Sequence, residues 1–100
     1  MEIRKIPNEI KLFNQTVKVI LKSDLIDKHE AFGMWDYKTN KIYLQKSTRK
    51  YKLTNEQISS TLIHEICHAI LDLMGESKLS ENEKFISSLS NLIHQFIVQI

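Results

Sequence analysis

Thr61-Leu62-Ile63-His64-Glu65-Ile66-Cys67-His68-Ala69 places two histidines four positions apart, with a glutamate directly after the first. On an α-helix rising about 1.5 Å per residue, His64 and His68 stand about 6 Å apart on one face, so both imidazoles can reach a single Zn2+ at about 2.1 Å. The H-E-x-x-H spacing therefore reads as a zinc site with a base beside it. Glu65 projects to one side of the histidine stripe, where it is placed to hold and deprotonate a water molecule rather than to ligate the metal.

The flanking residues put this motif in mid-helix. Leu53-Thr54-Asn55-Glu56-Gln57 offers a Thr N-cap with Gln three positions later, the signature of a capping box. Apolar residues follow at Ile58, Leu62, Ile63, Ile66, Ala69, Ile70 and Leu73, and Gly75 stands just past Met74 as a C′ stop. From Leu62 to Met74 the apolar positions wrap most of the circumference, which predicts a helix buried by the rest of the domain. Histidines and a glutamate in such a helix need partners, and a metal would provide one. The plainer alternative makes His64 and His68 core histidines bonded to backbone carbonyls, and Glu65 a solvated helix residue. Cys67 falls on a different face from the histidines and is expected as small core filler. With no second cysteine in the chain, neither ligation nor nucleophilic chemistry is supported for it.

Length and composition bound the rest. One hundred residues make a single domain, 1–100, large enough for one core. The formal charge is only +2, and Lys and Arg are spread along the chain apart from the Lys46 to Lys52 stretch, so no nucleic-acid or membrane surface is expected. A single Cys argues against a disulfide scaffold and fits a reducing compartment. Met1-Glu2-Ile3-Arg4-Lys5-Ile6-Pro7 lacks the apolar core of a signal peptide and no stretch is long enough to span a bilayer, so a cytoplasmic protein is expected.

Ahead of the helix the chain has β character. Gln15-Thr16-Val17-Lys18-Val19-Ile20-Leu21 and Lys41-Ile42-Tyr43-Leu44-Gln45 are rich in β-branched residues, and Gly33-Met34-Trp35-Asp36-Tyr37 leads into a Lys38-Thr39-Asn40 turn. About three antiparallel strands are predicted, with Trp35, Tyr37 and Tyr43 serving packing. Lys46-Ser47-Thr48-Arg49-Lys50 reads as a solvated loop.

After Gly75 a second helix is predicted from near Ser80, with an apolar stripe at Phe85, Ile86, Leu89, Leu92, Ile93, Phe96, Ile97 and Ile100. A short turn makes the two helices antiparallel. A catalytic zinc usually takes three protein ligands, and the opening turn of the second helix returns to nearly the depth of His68. Glu76, Glu81 and Glu83 are the candidates. Glu76 sits close to the turn, and Ser80-Glu81-Asn82-Glu83 is itself a capping box that would occupy Glu83. Asp72, one turn beyond His68, could orient that imidazole or be a solvated or capping residue. His94 falls about 16 Å along the helix from Glu83 and is expected to be structural or exposed, and His29 is placed in a loop.

The chain resembles the small zincin-like metallopeptidases encoded by phages and prophages, and more loosely the immunity-repressor proteases of mobile elements. The resemblance runs from the Gly33 to Leu44 hairpin, through the Thr61 to Ala69 core, to Glu83-Lys84-Phe85-Ile86-Ser87-Ser88-Leu89. It covers most of the chain, and its specific part is the H-E-x-x-H core. It implies an α+β minimal zincin-like fold with strands packed on the active-site helix. It implies Zn2+ held by His64, His68 and Glu83, with Glu65 as the catalytic base in peptide-bond hydrolysis. Asn82-Glu83 is similar to the Asn-Glu pair of gluzincins, and Ser87 stands where gluzincins often carry an Asp. The expected partner is a peptide or protein substrate, which could add as a strand to an exposed sheet edge. A different class of function keeps the scaffold as a non-catalytic binding or regulatory module acting on a phage or host protein, in line with the lack of substrate-pocket insertions.

Overall fold

The computed structural model describes residues 6–48 and 50–100. Met1 to Lys5 of the N-terminal stretch and Arg49 of the basic loop lie outside the described residues. Four strands, β1 (Glu9–Leu12), β2 (Gln15–Lys22), β3 (Gly33–Asp36) and β4 (Lys41–Gln45), form one sheet in the order β1-β2-β4-β3. Among the described residues four helices complete the α+β fold: α1 (Leu25–His29), α2 (Asn55–Leu73), α3 (Ser77–Ser80) and α4 (Glu83–Val98). None of these helices is long and apolar enough to cross a membrane.

The sheet corrects the expectation of three antiparallel strands. It has four strands and is mixed: β1 with β2 and β3 with β4 are antiparallel, whereas β2 and β4 run parallel. The added strand β1 is a short, half-exposed segment joined to β2 through Phe13 and Asn14, both at positive φ (51° and 62°), as a tight two-residue hairpin turn requires. The parallel pair arises because α1 carries the chain across the sheet. β3 then lands outside β4 rather than beside β2. Burial explains the order: Val17, Val19, Ile42 and Leu44 on the two central strands are nearly sealed from water, whereas every residue of the outer strand β3 is half-buried.

α2 forms as its sequence requires. Thr54 Oγ1 accepts from the Gln57 N–H at 3.1 Å, and Gln57 Oε1 accepts from the Thr54 N–H at 2.8 Å, closing the capping box. At the other end Gly75 sits at φ 81°, and its N–H bonds Asp72 O while the Glu76 N–H bonds Leu71 O, the paired bonds of a Schellman stop. Ile58 and Leu62 pack on the sheet with Val17, Val19, Ile42 and Leu44; Ile63, Cys67 and Leu71 pack on Ile86 of α4. The helix is thus a middle layer, which is why its apolar residues surround it. Cys67 is core filler as expected, and burial pushes its thiol pKa up.

The connection after α2 also differs from the sequence expectation. A short α3 takes up the turn, Ser80 is buried within it, and α4 begins at Glu83 rather than near Ser80. Asn82, not Ser80, is the N-cap of α4, its Oδ1 accepting from the Phe85 N–H at 3.1 Å. The Ser80-Glu81-Asn82-Glu83 capping box therefore does not form. Glu83 is left at the first helical position with its carboxylate free to point elsewhere.

Candidate metal centre

His64 and His68 lie on the α2 flank that turns towards α4, their ring centroids 5.2 Å apart. Glu83 comes up against both. Its Oε2 is 3.3 Å from His64 Nε2 and its Oε1 is 3.1 Å from His68 Nε2. Among the described residues these three form the group able to hold a metal ion, with ligand atoms all within 4.8 Å of one another. Of the three candidates for the third position, the fold brings Glu83 to the histidines, and neither Glu76 nor Glu81 joins the group.

The donor chemistry fits a metal. Ser80 Oγ, on α3, donates to the His68 backbone carbonyl at 3.3 Å and lies 3.2 Å from His68 Nδ1. Ser90 Oγ, on α4, donates to the Ser87 carbonyl at 3.3 Å and lies 3.5 Å from His64 Nδ1. A hydroxyl carries one proton, and with that proton on a carbonyl its oxygen remains an acceptor for a ring Nδ1–H. Each ring Nδ1 thus has a hydroxyl able to accept its proton, and in that Nδ1–H tautomer both rings turn Nε2 lone pairs towards the Glu83 carboxylate. In that tautomer lone pairs face lone pairs at 3.1 and 3.3 Å, an arrangement that a cation between them would relieve. Two donors about 2.0–2.1 Å from a tetrahedral metal stand about 3.3 Å apart, and each imidazole here lies at about that separation from a different oxygen of Glu83.

The sequence gives no cue for Ser80. Ser90 is visible only as a polar residue interrupting the Ile86, Leu89 and Ile93 stripe. Ser80→Ala and Ser90→Ala are each expected to weaken metal binding by about 10- to 100-fold, the usual cost of losing a partner that orients a ligand. The loss should be larger for Ser80, whose contact to the ring is shorter. Competition against a chelating dye measures both.

Glu65 is buried in α2 at 8 % exposure. Loss of water around its carboxylate, and secondarily the nearby Glu83 charge, push its pKa from an ordinary 4.5 up to about 7, partly offset by a hydrogen bond from the Trp35 backbone N–H. It shares a cleft of about 260 Å3 with His64, Gly33, Ser90 and Asn91. The cleft is built by the approach of β3 to α2. A Cβ on Gly33 would stand 2.5 Å from Thr61 Cγ2 and 3.1 Å from Glu65 Cγ, so this glycine is a matter of space. Gly33→Ala is expected to destabilise the fold by about 1–3 kcal/mol through overpacking, with Thr61→Ser restoring part of the loss in the double variant. Denaturant unfolding of the single and double variants checks it.

Other sequence candidates fall elsewhere. Asp72 does not orient His68; it accepts from Trp35 Nε1 at 2.9 Å and so pins β3 to α2. His29 ends α1 and lines a separate cavity with Lys22 and Tyr43. His94 lines a larger cavity beside the N-terminal half of α2. Comparison of the chain with protein-family models, with curated proteins and with solved structures finds no match.

Proposed function

We propose that the protein is a zinc-dependent metallopeptidase with a minimal zincin-like arrangement. The observation that carries this reading is the meeting of His64 Nε2, His68 Nε2 and the Glu83 carboxylate, with a buried Glu65 lining a cleft together with His64. Two imidazoles and a carboxylate are a common donor set for catalytic zinc. Zinc held there would supply Lewis acidity, polarising a scissile carbonyl and easing ionisation of water. Glu65 takes the proton from the attacking water and passes it to the leaving amine, a role suited to a carboxyl that titrates near neutrality.

The sheet edge supplies a place for the peptide. Gln45 N–H bonds Phe32 O, so the antiparallel alternation turns the backbone groups of Gly33 and Trp35 away from β4; the Trp35 N–H there bonds the Glu65 carboxylate, and the Gly33 groups and the Trp35 carbonyl are the ones offered to a peptide. An extended peptide adding to that side lays its backbone across the cleft.

Metal analysis of protein purified without added metal tests the reading. One tightly bound zinc per chain is expected, together with peptide-library cleavage that a chelator abolishes and zinc restores. Absence of zinc under every condition overturns it and favours a binding module on the same scaffold.

A further inference from the structure

We infer that the cavity beside the N-terminal half of α2 is a specificity subsite for an aromatic side chain, the third residue on the C-terminal side of the scissile bond. The inference rests on the peptidase reading and names the class of peptide it would cut. The cavity measures about 630 Å3 and is lined by Phe32, Tyr51, Leu53, Gln57, Thr61 and His94 among others. That volume lies in the range of ligand pockets, and the lining sets the apolar group Phe32, Tyr51 and Leu53 beside polar residues that include Glu56, Gln57 and His94.

Three observations select the occupant. The cavity shares Phe32, Ser60 and Thr61 with the cleft that contains His64 and Glu65, so the two are continuous. Phe32 and Tyr51, 50 % and 55 % exposed, belong to neither hydrophobic cluster among the described residues, and an apolar ring seated in the cavity they line would cover part of both. The spacing fixes the position. Gln57 lies about 10 Å along α2 from His64, and an extended peptide advances about 3.3 Å per residue, which brings its third residue to the cavity. Side chains alternate along an extended chain, so the first and third residues past the bond point to the same side. Phe32 precedes β3, and a peptide paired antiparallel to β3, the more stable pairing, runs towards Phe32 in its C-terminal direction.

The test uses the zinc-loaded full chain in two measurements. Cleavage products of a peptide library should show Phe, Tyr or Trp at the third position after the cut, favoured over Ala by roughly tenfold or more in kcat/KM. Tyr51→Ala should bring that ratio close to unity. Independently of hydrolysis, NMR titration with the tripeptide amide Ala-Ala-Phe should shift the resonances of Phe32, Tyr51 and His94, while Ala-Ala-Ala should not. Shifts without any hydrolysis would uphold the subsite and remove the peptidase reading. Cleavage indifferent to the third position, selection on the N-terminal side instead, or equal response to the two tripeptides would overturn the subsite.

Discussion

Glu65→Gln is expected to bind zinc as the wild-type chain does and to lose peptide hydrolysis by about 100- to 10,000-fold, the usual contribution of a positioned general base. Glu65 is not one of the converging ligands, and Gln preserves its shape beside Gly33, where little room is left. Retained zinc with lost turnover therefore isolates the proton transfer. A variant that kept both zinc and full activity would remove Glu65 from the mechanism. The same substitution has a second readout in metal-free protein. The folded pKa of Glu65 is raised from 4.5 to about 7, so its contribution to stability is fully present below pH 4.5 and is lost as pH rises through about 7. Gln carries no charge to desolvate. The metal-free Gln variant should match wild type near pH 4.5 and exceed it by about 3 kcal/mol above pH 7, read from urea unfolding in chelator at the two pH values.

α2 was legible because every device that makes it is local. Its cap, its stop and its encircling apolar residues lie within the segment from Thr54 to Glu76, and the two histidines follow from them. The α+β class and the β3–β4 hairpin were legible for the same reason. What could not be read depended on partners distant in sequence. Asp72 stands one turn from His68, yet its partner is Trp35, 37 residues away, which helical spacing has no means of showing. The parallel pairing of β2 and β4 depends on the chain crossing through α1, a five-residue helix too short to leave a periodic signal. The role of Glu83 turned on α3. Once Ser80 is drawn into that helix and buried against His68, it cannot cap α4, and the capping-box pattern that would have held Glu83 no longer applies.

Glu83→Ala is expected to lower zinc affinity by several hundredfold, while Glu81→Ala leaves it unchanged. Zinc in small protein sites binds with about 10–16 kcal/mol, so one ligand of four accounts for about 3–4 kcal/mol, or roughly several hundredfold. Glu83 places one oxygen against each imidazole, so its loss removes the only carboxylate of the group. Folding should be little affected. Glu83 is exposed at the first turn of α4, where a carboxylate adds about 0.3–1 kcal/mol through the helix dipole, and the Asn82 cap remains. Metal titration and thermal unfolding of the same samples therefore separate a lost ligand from a damaged helix. Glu81 follows α3, outside the ligand group, and its removal leaves Ser80 and both histidines in place. Unchanged zinc affinity in Glu83→Ala would mean that its contacts with His64 and His68 are ion pairs alone and that a different group completes the zinc site.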